Sequence, residues 1–137
     1  MSSPAVPPRG GGGLKPMRTA HNDQASFMRS IPLPLHFGIS VASGLDVLIT
    51  VGGELDLASV PAFETAVRGI DFESTRHVAL DLQPLDFIDA AGLHAVLALY
   101  EACCARSVAL TIMPGPWQVH RVFELTATDR QLPFRSR

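Results

Sequence analysis

The chain has 137 residues and a mass of 14.7 kDa, the size of a single domain. Its 11 Lys and Arg against 13 Asp and Glu leave a net charge of -2, which argues against nucleic-acid binding, because affinity for a phosphate backbone needs a basic face. With 47% hydrophobic and 18% charged residues the composition is that of a packed globular domain, and neither a membrane span nor an apolar secretory signal is legible, so cytoplasmic residence is expected.

Residues 1–30 read differently from the rest. They hold four prolines, the four-glycine run Gly10–Gly13 and little apolar surface, too little to offset the backbone entropy of ordering them. A disordered tail over 1–30 and a folded domain over 33–137 are expected. The tail carries Arg9, Lys15, Arg18 and Arg29 against Asp23, a net +3 that leaves the remainder at -5. Met1, Met17 and Met28 are all candidate starts.

Beyond the tail the punctuation is regular. Residues 36–41 alternate as a strand, Ala42-Ser43-Gly44 reads as a turn, and the β-branched run 45–51 forms a hairpin with the first strand. Gly52-Gly53 marks a bulge before Glu54-Leu55-Asp56. Ser59 stands as the N-cap of a helix through Arg68, with Pro61 tolerated in its first turn. Residues 78–82 read as a strand buried on both faces. Residues 90–105 read as a helix whose apolar stripe is Leu93, Val96, Leu97, Tyr100 and Cys104. A core strand over 108–112 and a helix opened by Gly115-Pro116 and ending near Leu125 complete the order β-β-α-β-α-β-α. Helices alternating with strands imply parallel pairing by right-handed crossovers, after an antiparallel hairpin at the start. The fold class is a small α/β sandwich with a mixed sheet.

Enzyme chemistry finds no support. A phosphate-binding loop of the Gly-x-x-x-x-Gly-Lys-Ser/Thr type is absent, and the only lysine is Lys15. No Gly-x-Ser-x-Gly elbow exists. The five histidines (His21, His36, His77, His94 and His120) show no paired spacing, so no metal site, cofactor or catalytic residue is expected. Cys103 and Cys104 are adjacent, which suits neither a structural disulfide nor a redox pair.

The informative stretch is Leu85-Asp86-Phe87-Ile88-Asp89-Ala90-Ala91-Gly92-Leu93. Asp89 stands just before an apolar helix, where its carboxylate accepts free N–H groups of the first turn. Small residues at Ala90, Ala91 and Gly92 leave the positive end of the helix dipole sterically open.

Gly53-Glu54-Leu55-Asp56 and Phe87-Ile88-Asp89-Ala90-Ala91-Gly92-Leu93 resemble the STAS domain of bacterial anti-sigma factor antagonists. Their spacing, the 78–82 strand and residues 117–123 agree, and the resemblance covers roughly residues 35–134. It implies a mixed sheet flanked by helices and an anti-sigma factor, itself a serine kinase, as partner. It also implies a phosphorylation switch at a Ser or Thr just after the aspartate matching Asp89. Here Ala90 and Ala91 lack a hydroxyl, so no phosphorylation is expected there. Two uses remain open: an antagonist always competent to sequester its anti-sigma factor, or a non-phosphorylated interaction module of a transporter or stress-signalling assembly. Either way the expected partner surface is Asp56, Ser59, Asp89, Ala90, Ala91, Gly92 and Leu93, on a monomer or weak dimer without direct contact to nucleic acid or membrane.

Overall fold

Two adjoining runs with apolar residues at every second position start the sheet. Strands β2 (Phe37–Ala42) and β3 (Asp46–Leu55) pair antiparallel, with Ile39 opposite Val51 and Val41 opposite Ile49. Alternation puts Phe37, Ile39 and Val41 on the same face as Val47, Ile49 and Val51, and all six are buried. The computed structural model describes residues 28–29 and 36–136. The first 27 residues of the expected tail lie outside the described residues. Met28–Arg29, which the sequence reading assigns to that tail, instead form a short strand β1 antiparallel to Val41 and Ala42. The outer edge of β2 offers backbone partners to an incoming segment whatever side chains that segment carries.

The rest of the sheet is parallel. The first half of β3 pairs with β4 (His77–Asp81), which pairs in turn with β6 (Ala109–Met113), giving the order β1-β2-β3-β4-β6. The second half of β3 pairs with β5 (Leu85–Ile88), a strand the sequence reading leaves in the connection before the long helix. The changeover falls at the expected bulge, where the register shifts between Gly53 and Glu54. Gly53 has φ +77°, and a Cβ there would run into the carbonyl group of His36. Only glycine takes both that dihedral and that approach without strain.

Helices α1 (Val60–Arg68) and α2 (Ala90–Ala105) pack on each other and on the sheet. One face of the sheet is therefore covered: Val78 and Leu80 of β4 and Ile112 of β6 join the buried residues of β2 and β3. On the other face Leu48 is exposed while Thr50, Ala79 and Thr111 are half-buried. The expectation that 78–82 is buried on both faces is thus corrected: β4 alternates buried with half-buried positions, because helices cover one side more fully than the other.

The apolar stripe of α2 is also corrected. Gly92, Leu93, Ala95, Val96, Leu99 and Cys103 face the core, whereas Tyr100 is half-buried and Cys104 exposed. Nearly every residue of this helix is apolar, so the periodicity did not distinguish two stripes about one position apart. Burial, with a smaller contribution from neighbouring Cys104, pushes the Cys103 thiol up to about 11. Helix α3 (Trp117–Leu125) begins after Pro116, as expected, and buries Val119 and Phe123. The chain end returns to β6, where Phe134 bridges to Ile112.

Candidate functional site

The carboxyl ends of β3 and β5 lie side by side, and each leads into a helix. The loop Asp56–Ser59 follows β3, and Asp89 follows β5. Open α/β sheets place binding sites at this end of their strands.

Asp89 holds the two connections together. One carboxylate oxygen accepts from the Gly92 N–H at 2.9 Å and so caps α2. The other accepts from the Leu57 N–H, 32 residues away in sequence, at 3.2 Å. Its own N–H donates to the Leu55 carbonyl at 3.3 Å. The cap is the expected one. The link to Leu57 had no local signal, because strand pairing alone brings residue 57 within reach.

Ser59 does something other than cap. Its hydroxyl donates to the Glu54 carbonyl at 2.7 Å and accepts the Asp56 N–H at 2.9 Å, and no side-chain cap of α1 forms. At 1% exposure it is part of the interior. Asp56 supplies the turn instead, its Oδ1 accepting from the N–H groups of Ala58 and Ser59 at 3.1 Å each. An Asx-turn of this kind competes directly with N-capping.

The seven residues expected to form a partner surface therefore separate. Asp56, Asp89 and Ala91 are half-buried, and Ala90 is exposed at the start of α2. Ser59, Gly92 and Leu93 are buried and position this surface from beneath. Gly92 has a steric reason: a Cβ there would overlap the Leu55 carbonyl oxygen and lie 2.8 Å from Ile88 Cγ1. The helix start thus sits closer to β3 than any other residue allows.

Two large apolar side chains the sequence reading passes over belong to the same end. Leu57 is 76% exposed, and Phe87, next to Asp86 on β5, is 49% exposed. An apolar residue inside a turn and one inside an apolar strand both look like core by pattern, so only the fold reveals their exposure. The surroundings are acidic, with Glu54, Asp56, Asp86 and Asp89. Residues 46–67 and 77–105, which build this end, contain no Lys or Arg. This end of the sheet thus carries acidic side chains, two exposed apolar ones and a helix start of small residues. Among the described residues, no helix is long and apolar enough to cross a membrane.

The family model of the STAS domain matches residues 39–137. The chain is 28% identical over 78 residues to an anti-sigma-B factor antagonist of Staphylococcus aureus, covering 57% of this chain and 72% of that protein. Its fold is similar to the crystal structure of an anti-sigma factor antagonist from Mycobacterium paratuberculosis. That match has a TM-score of 0.66 and 22% identity, over 74% of this chain and 86% of the other. It is also similar to the anti-sigma factor antagonist SpoIIAA in its unphosphorylated form, with a TM-score of 0.60 and 19% identity over 73% and 88% of the two chains.

Proposed function

The chain belongs to the STAS domain family, and we propose that it is an anti-sigma factor antagonist that binds an anti-sigma factor of the serine-kinase type without being switched off by it. The docking surface is formed by Asp56, Leu57 and Ala58 together with Phe87, Asp89, Ala90 and Ala91. The observation that carries this reading is the double use of Asp89, which caps α2 and holds the Leu57 N–H. It ties the two loops to each other beside exposed Ala90 at the start of α2. Leu57 and Phe87 supply the apolar anchors that interface energetics depend on. The carboxylates of Asp56, Asp86 and Asp89 select a partner with a basic patch and speed the encounter.

The role is one of binding, with no catalytic step of its own. In relatives regulated by their kinase, a phosphate added after the matching aspartate puts charge and bulk into the middle of the docking surface. Ala90 and Ala91 carry no oxygen to accept it. The bound fraction is then set by partner concentration relative to a fixed affinity. The same two alanines suit an interaction module of a transporter or stress-signalling assembly, and the partner recovered from the source organism decides between these uses.

The test is intact-mass measurement after incubation with the host's anti-sigma kinase and Mg-ATP. The natural chain is expected to gain no phosphate and Ala90→Ser to gain one. An Ala90→Ser variant that stays unmodified and forms no complex with the kinase would remove the antagonist reading.

A further inference from the structure

Far from Asp89 in sequence, α3 and the 3-10 turn after it (Thr128–Arg130) bring three donor groups together. The imidazole of His120, the carboxylate of Glu124 one helical turn on, and that of Asp129 place their donor atoms within 4.8 Å of one another. A search of the sequence for paired histidines passes over this set, because two of its three members are carboxylates.

His120 itself carries an independent sign. Its Nδ1 is shut off from water and has no hydrogen-bond partner among the described residues. A buried nitrogen left unpaired is costly, and native structures keep few of them. The ring has little freedom to escape, since Phe134 stands edge-on to it at 4.7 Å and Phe123 lies at 6.1 Å. Among the described residues, no Arg side chain forms an ion pair with Glu124 or Asp129. Two carboxylates beside the His120 ring, with no ion-paired Arg among the described residues, form a site that favours a positive charge.

We propose that His120, Glu124 and Asp129 bind a divalent first-row transition ion of the Zn2+ type. Imidazole with two carboxylates suits such a borderline ion, whereas Ca2+ and Mg2+ favour all-oxygen sets. The two carboxylates neutralise the ion's charge, and water completes a four-coordinate shell. Bond lengths of about 2.0–2.2 Å put neighbouring ligand atoms ~3.4 Å apart in a tetrahedral site, so the donors close by roughly an ångström on binding. Exposed Glu124 and half-buried Asp129 have room for that movement. The ion ties α3 to the turn that precedes Phe134, and so braces the return of the chain end to β6.

Zinc chloride titrated calorimetrically into the chelator-treated full chain is the test, with thermal unfolding measured alongside. One ion per chain and a rise in the melting temperature are expected, since a ligand bound by the folded state alone stabilises it. Glu124→Gln and Asp129→Asn, both at the surface, should leave the metal-free melting temperature in place. Each should weaken Zn2+ binding by more than about tenfold, the loss that even outer-shell partners of a metal site produce. Cobalt substitution should give weak visible bands without the thiolate charge-transfer absorption that Cys104 would contribute. Absence of binding, a thiolate signal, or undiminished affinity in the Glu124→Gln/Asp129→Asn double variant would each overturn the proposal.

Discussion

The two helix starts at the carboxyl end of the sheet invite comparison, because the sequence writes them alike: a small polar residue, then an apolar helix. At α1, Ser59 is 1% exposed and its hydroxyl turns back to Glu54 and Asp56. At α2, half-buried Asp89 caps its own helix and reaches across to Leu57. One polar side chain is spent inside the fold, bracing a loop from below. The other stays half-buried at the surface, with lone pairs left over for further hydrogen bonds. A capping signal thus marks where a helix begins but leaves open whether the end is sealed or offered. What separates the two is Asp56, whose Asx-turn takes the N–H of Ser59 itself and so displaces Ser59 into the interior.

Substitutions should separate the two ends in a fixed order. Gly92→Ala should have the largest effect, because the added carbon meets the backbone oxygen of Leu55 and neither the helix nor the strand can move freely. A loss of about 3 kcal/mol is expected in denaturant unfolding, the upper part of the range for overpacking. Ser59→Ala should cost about 2 kcal/mol in the same assay, as it removes the hydroxyl partner of a part-buried carbonyl and a part-buried N–H. Asp89→Ala should cost about 1 kcal/mol, the usual loss of an N-cap, since the freed Leu57 N–H is exposed and can take a water. If Asp89→Ala proves more damaging than Ser59→Ala, the division into a sealed end and an offered end is wrong. Ala90→Glu should have the smallest effect on folding and a favourable one, about 0.3–1 kcal/mol, because an acidic residue in a first turn complements the helix dipole.

Most of the fold was legible because its signals are local. The hairpin, the bulge at Gly52-Gly53, the three helices and the Asp89 cap each follow from residues within a turn or two. The misses have one physical origin: they depend on where distant segments arrive. Strand β5 was hidden because its four residues pair with β3 beyond the bulge, a register no short pattern announces. Strand β1 was hidden because two residues gain order from the edge of β2 rather than from their own side chains. At the site, Asp56, Asp89, Ala90 and Ala91 were found as surface residues, while Ser59, Gly92 and Leu93 proved to support it from below. Leu57 and Phe87 were missed because apolar side chains are presumed inside until the fold leaves them out.

On the antagonist reading the offered end, and not the sealed one, receives the partner. This is tested most directly by calorimetric titration of the host's anti-sigma kinase with the natural chain and with Ala90→Glu, after unfolding measurements have shown the variant to be at least as stable. Ala90→Glu puts negative charge and bulk at the exposed first residue of α2, on the proposed docking surface. A loss of affinity of about 2 kcal/mol or more is therefore expected, the size of a hot-spot position in an interface. Unchanged affinity in the folded variant would contradict it and place the interface elsewhere on the domain.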